Sequence, residues 1–170
     1  LVTYTLLENA GTPWGRAYTN PVTGATSNGS LSIINITNGE VLNELQLGGH
    51  PNAIIKSGDQ HFLYITNSNS DYVSVVDVNK ERVIDSIPTG LFSNEYRYFG
   101  SSPNALLLDS NTGTLYVANG MDNAIAVIKL GSNDYTNAKG NTQLKGYIPT
   151  EAYPSGVAMI KQELFITNLE

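Results

Sequence analysis

Four tetrads in this chain resemble one another, and each closes on asparagine. They are Ala17-Tyr18-Thr19-Asn20, Tyr64-Ile65-Thr66-Asn67, Tyr116-Val117-Ala118-Asn119 and Phe165-Ile166-Thr167-Asn168. The closing asparagines stand 47, 52 and 49 residues apart. Pro51-Asn52-Ala53 and Pro103-Asn104-Ala105 each lie 16 residues ahead of their tetrad's Asn, and Pro154-Ser155-Gly156 lies 14 ahead. Self-similarity at such a period is the strongest constraint a sequence can carry. Each unit is too small to bury its own apolar faces and must stack on a neighbour.

Downstream of three tetrads run alternating apolar segments, Leu31–Ile36, Val73–Val78 and Ile125–Ile128. Period-two alternation with β-branched residues predicts strands. A further run closes each unit: Val41–Leu47, Arg82–Pro88 and Lys145–Pro149. Asn38-Gly39, Gly48-Gly49 and Thr112-Gly113 supply turn chemistry between them. Four strands per repeat of this length predict an all-β chain of β-propeller blades. A sandwich of unrelated strands would not repeat both motifs at matched offsets.

The units are expected at about 1–48, 49–100, 101–151 and 152–170, the last incomplete. Together they form about three and a half antiparallel blades of one partial propeller. The first unit departs from the pattern through an insertion, Pro21–Ser30, and through Pro13-Trp14-Gly15, which stands too close to Asn20. A propeller ring closes with ~4–8 blades. The expected context is therefore a seven- or eight-bladed ring of which this chain is one arc, or self-association through its open blade ends. Leu1–Leu7 already reads as strand, which suggests a chain cut from the middle of a longer protein.

Composition narrows the functions. Net charge is −6, and the 9 Lys and Arg are scattered. Nucleic-acid binding asks for a basic stripe, so it is not expected, nor is docking to an anionic membrane. Cysteine is absent, which removes disulfides, zinc thiolates and thiol nucleophiles. No apolar run approaches the ~20 residues of a membrane span. Charged residues are only 14%, with Tyr, Asn and Thr in their place. That surface suggests an exported bacterial protein, periplasmic or extracellular.

The middle unit carries a family resemblance. It reads His50-Pro51-Asn52-Ala53-Ile54, Leu63-Tyr64-Ile65-Thr66-Asn67, Val73-Ser74-Val75-Val76-Asp77, Val83-Ile84 and Ile87-Pro88-Thr89-Gly90. This resembles the YVTN-repeat family of β-propellers. WD40 repeats are disfavoured because Trp14 sits in no Trp-Asp pair. Kelch repeats would want paired glycines in each blade, and only Gly48-Gly49 offers any. The insertions at 91–100 and 131–143 give a closer likeness to bacterial two-part proteins. In those a YVTN-type propeller precedes an alkaline-phosphatase-like phosphoesterase domain. The resemblance also implies a lactonase-like propeller as an enzymatic alternative.

Propeller geometry sorts the loops onto two faces. The connections from each unit's last strand to the next unit's first, and from second strand to third, share the face that propellers commonly use for binding. On it fall the ligand-binding candidates His50, Asn52, Asn69, Asp71, Asn104, Asp122 and Tyr153. The insertion Leu91–Gly100 adds Glu95, Tyr96, Arg97 and Tyr98, aromatic residues and one guanidinium suited to stacking and anion pairing. Asn67–Asp71 and Asp109–Gly113 alternate oxygen-bearing side chains like half a calcium loop. Without a distal Glu they read as turns instead.

No Gly-rich phosphate loop, His-Glu-x-x-His or Gly-x-Ser-x-Gly occurs. No cofactor, metal or catalytic residue is therefore assigned. The favoured reading is a non-catalytic binding or scaffold module for a small molecule, glycan or protein. The alternatives are part of a lactonase-like or sugar-acid-hydrolysing propeller, with His50 and Glu95 as its candidates, and an accessory propeller of a phosphoesterase.

Overall fold

The structure is a computed structural model describing residues 5–8, 16–19, 29–91, 100–131 and 142–169, the first two segments as backbone only. All fourteen strands among them pair antiparallel with a sequence neighbour. In the first unit β1 (Thr5–Glu8) pairs with β2 (Arg16–Thr19), and β3 (Gly29–Ile34) with β4 (Val41–Leu47). The second unit is one four-stranded sheet of β5 (Pro51–Lys56), β6 (Phe62–Asn67), β7 (Tyr72–Asp77) and β8 (Arg82–Pro88). The third repeats it with β9 (Pro103–Asp109), β10 (Thr114–Asn119), β11 (Ala124–Lys129) and β12 (Gln143–Pro149). A last hairpin joins β13 (Pro154–Ile160) to β14 (Glu163–Asn168). The chain is an arc of about three and a half propeller blades.

Two details differ from the sequence expectation. The first unit was expected as one four-stranded blade, yet β2 and β3 share no ladder among the described residues. The third strand also begins at Gly29, inside the segment read as an insertion. There Gly29 and Ser30 are already paired with Leu47 and Gln46. Residues 21–28 of that insertion lie outside the described residues.

Each third-to-fourth strand pair carries the same irregularity, at Ile33/Ile34, Val75/Val76 and Val127/Ile128. Such bulges sharpen the right-handed twist of a strand pair, which here turns the outer half of each blade. The first strands β5, β9 and β13 lie side by side, β9 in the middle, and form the inner wall.

A blade between two neighbours must be apolar on both faces, and β6 and β7 obey this. Phe62, Tyr64, Val73, Val75 and Ile87 pack onto Leu115, Val117, Ala126 and Ile128 of the third blade. Leu63, Ile65 and Val76, on the opposite face, meet Leu31, Leu45 and Leu47 of the first. Where no neighbour covers a strand, apolar side chains stay exposed, as with Phe165, at 50%.

The turns at the opposite end from the candidate face are held by carboxylates. Asp59 accepts from Ser57 Oγ and His61 N. Asp77 accepts from Lys80 N and pairs with its ammonium at 2.8 Å. Asp109 accepts from Asn111 N and Thr112 Oγ1, so Asp109–Gly113 closes as a local turn. The side-chain bonds from Ser57, Lys80 and Thr112 are the main reason each carboxyl is held below its ordinary range.

Two outcomes follow. Leu115 is fully buried, so Leu115→Ala should cost about 2–5 kcal/mol by denaturant titration. Ile36 is 98% exposed, and Ile36→Ser should stay within about 0.5 kcal/mol of the parent. Acid should also destabilise. A carboxyl whose pKa is lowered by folding contributes stability above its unfolded value, ~3.9, and loses it as pH falls through the folded value. Asp77→Asn should therefore lower the thermal midpoint at neutral pH, by a difference that shrinks as pH falls below ~3.9. A constant offset across that range would contradict the assignment.

Candidate functional site

At the candidate face the chain enters the first strands β5, β9 and β13 through a left-handed residue. His50, Ser102 and Tyr153 have φ of 55°, 52° and 52°, and each precedes a proline. Side chains tolerate this region poorly, so something must hold it. The carbonyl of each accepts the N–H of the residue just after a tetrad asparagine: His50 from Ser68 at 3.0 Å, Ser102 from Gly120 at 3.0 Å, Tyr153 from Leu169 at 3.2 Å. These bonds bring together the two sets of loops expected on this face.

Four residues past the tetrad Asn stands a second left-handed residue, Asp71 in one blade and Asn123 in the next, with φ of 54° and 52°. The Asp71 carboxylate is buried and accepts three backbone N–H groups, from Gly100 at 2.7 Å, Ser101 at 3.0 Å and Ser102 at 3.2 Å. Asn123 Oδ1 accepts Tyr153 N at 2.9 Å, the equivalent bond one blade on. Each thereby fixes the entry of the following blade. Their own carbonyls accept the N–H of Thr89 and Thr150.

Thr89 is fully buried, and its carbonyl receives Asn119 Nδ2 at 2.6 Å and Tyr147 Oη at 3.2 Å from the third blade. Tyr147 also donates to Gly90 O at 2.7 Å. Burial, with the Asp122 charge adding to it, pushes the Tyr147 phenol up to about 12, so it remains a donor. Asn67 and Asn119 are structural. Asn67 Nδ2 bridges Ile65 O, Tyr72 O and Ser74 Oγ, and Asn119 Nδ2 reaches Asp122 Oδ2 at 2.9 Å as well as Thr89 O.

The remaining candidates divide. His50 and Asn69 are exposed, and Asn69 N donates to Gly49 O. Asn52 is exposed and accepts the Thr66 hydroxyl at 2.6 Å. Glu95, Tyr96, Arg97 and Tyr98 lie outside the described residues. Asn104 and Tyr153 come together over Gly120. A Cβ on Gly120 would stand 2.7 Å from both Asn104 Nδ2 and Tyr153 Cζ, so a side chain there would push one or the other aside. Tyr153 Oη lies 3.5 Å from Ser102 Oγ. Ser102, Gly120, Thr89 and Tyr147 were not singled out as site residues. Aligning the residue after each tetrad Asn (Ser68, Gly120, Leu169) was the available signal for Gly120.

Beside this face, a largely apolar cavity of about 170 Å³ separates the first two blades, lined by Leu31, Leu47, Asn52 and Ile54 among others. No group of three or more His, Asp or Glu residues placed to hold a metal occurs among the described residues. No helix among them is long and apolar enough to cross a membrane.

The arc matches known propeller-like structures. A candidate 6-phosphogluconolactonase from Bacteroides uniformis superposes with a TM-score of 0.62 and 16% identity, over 90% of this chain and 43% of its own. Hydrazine synthase of Kuenenia stuttgartiensis gives 0.56 and 26%, over 84% of this chain and 34% of its own. U3-55K gives 0.51 and 14%, over 78% and 37%. The chain thus spans less than half the length of each neighbour, and the likeness establishes a fold rather than an activity. No protein-family model and no curated protein matches the chain.

If Asp71 is the strut between blades, its truncation should be severe. Asp71→Ala leaves three N–H groups without an acceptor and should cost roughly 3 kcal/mol or more. Asp71→Asn, which copies Asn123, keeps an Oδ1 acceptor for Ser101 and Ser102 N but sets an Nδ2 donor against Gly100 N, and should recover part of the loss. Equal destabilisation by the two variants, measured by thermal melts, would contradict the role.

Proposed function

We propose that this chain is a binding or scaffold module, an arc of a larger propeller that presents its inner-wall end to a ligand or to a fused domain. The observation that carries this reading is the use made of polar groups at that end. The Asp71 carboxylate is taken up by three backbone N–H groups, Asp122 receives Asn119, and Tyr147 donates to two carbonyls. Groups so engaged hold blades in place and are poorly placed to exchange protons with a substrate. In this reading the chain is of YVTN-repeat type and belongs to an exported bacterial protein. Any phosphoesterase chemistry would reside in another domain. The repeat residues and the low-charge surface support that assignment.

A second reading is a lactonase-like enzyme. It is favoured by the superposition on the candidate 6-phosphogluconolactonase and by the exposed imidazole of His50 at the same end.

The two readings separate in one experiment. The purified chain is assayed for hydrolysis of 6-phosphogluconolactone and glucono-1,5-lactone, and by calorimetry against a glycan and peptide panel. The binding reading expects lactone loss at the buffer rate and saturable heat from at least one panel member. Saturable hydrolysis that disappears in His50→Ala would replace it with the enzymatic reading.

A further inference from the structure

The repeat pairs the residue after each entry proline with the third residue of the tetrad. In the second blade Thr66 Oγ1 donates to Asn52 Oδ1 at 2.6 Å. In the last hairpin Ser155 Oγ and Thr167 Oγ1 are 3.2 Å apart. In the third blade the pair is Asn104 with Ala118, and the hydroxyl is gone. Both Asn104 Oδ1 and Nδ2 are buried and have no hydrogen-bond partner. An unmet buried polar group is costly, and here one carboxamide leaves both its functions unmet.

The surroundings of that carboxamide are specific. Its Nδ2 and the Tyr153 ring both lie against the space where a Gly120 side chain would stand, and the Tyr153 phenol reaches the Ser102 hydroxyl only at a long 3.5 Å. An aromatic face, a free carboxamide and a hydroxyl thus converge at the mouth of the inner wall. A carboxamide offers a donor and an acceptor side by side, the complement of two adjacent hydroxyls. An aromatic ring packs on the apolar C–H face of a sugar while its hydroxyls bond at the edge.

We propose that Asn104, Tyr153 and Ser102 form a subsite for a pyranose ring. Tyr153 swings off Gly120 to admit the sugar. A vicinal diol then bonds Asn104 Oδ1 and Nδ2, and the tyrosine ring stacks against the sugar. This deepens the binding-module reading and rests on it. The missing hydroxyl at Ala118 is part of the device, because an internal partner would occupy the carboxamide that the ligand needs.

The test is a titration of the ¹⁵N-labelled chain with methyl β-glucopyranoside into the high-millimolar range, followed at the side-chain amide of Asn104. That signal is assigned by its loss in Asn104→Ser. A saturable shift is expected. Ala118→Ser restores an internal partner and should raise the thermal midpoint while weakening the glycoside about fivefold or more, the equivalent of one lost hydrogen bond. Tyr153→Ser, which copies position 102, should weaken it comparably and leave the Asn104 signal in place. A silent Asn104 overturns the subsite, as does an affinity unchanged in both variants. Saturable shifts confined to other residues also overturn it but leave the binding-module reading intact. That reading fails separately, through the lactone assay and the ligand panel.

Discussion

The arc depends on how one blade fixes the entry of the next. Packing between blades is apolar and non-directional, so it cannot alone set where a new blade begins. The acceptor four residues past Asn67 and past Asn119 does so. Asp71 takes the N–H groups of residues 100–102, and Asn123 takes that of Tyr153. The acceptor sits in a left-handed turn, and so does the residue it captures at 102 or 153. Each conformation is costly alone and is held by hydrogen bonds from the other side of the junction. A repeat architecture is a chain of nearest-neighbour interfaces, and here the interface term includes directional polar bonds as well as burial.

The same logic explains why this face is poor in free titratable groups among the described residues. Charge and amide groups that look like ligand-binding candidates in a linear sequence are the ones best suited to satisfy exposed backbone N–H groups at a junction. Thr89 concentrates the effect. Its N–H and hydroxyl go to Asp71 O, and its carbonyl takes Asn119 and Tyr147. Three segments distant in sequence are tied at one buried residue.

What the sequence made legible follows from periodicity. Val41–Leu47 and Arg82–Pro88 are strands with the bounds that alternation predicts, because their ends coincide with a change from apolar to turn residues. The start of β3 was hidden, since Gly29 and Ser30 contribute pairing without apolar character. The last strand of the third blade begins at Gln143, ahead of its predicted start at Lys145. At the face, the repeat located the loops, but the job of each side chain was not legible. The partners of Asp71 lie 29 to 31 residues away, across a junction that no local pattern describes.

Comparison among equivalent positions recovers part of that hidden information. Where the repeat keeps both members of a contact, as in Asn52 with Thr66, a blade-internal bond accounts for the pair. Where it keeps one member and loses the other, as in Asn104 with Ala118, both polar atoms of the carboxamide are left without a partner. Natural chains agree across levels of structure except where something besides stability is selected. The size exchange at the neighbouring junction points the same way. In one junction Ser68 donates its hydroxyl to Pro103 O, next to the small Ser102, whereas in the next the larger Tyr153 lies against Gly120. Two departures from one repeat, Ala118 opposite Asn104 and Tyr153 against Gly120, meet at the junction between the third and fourth units.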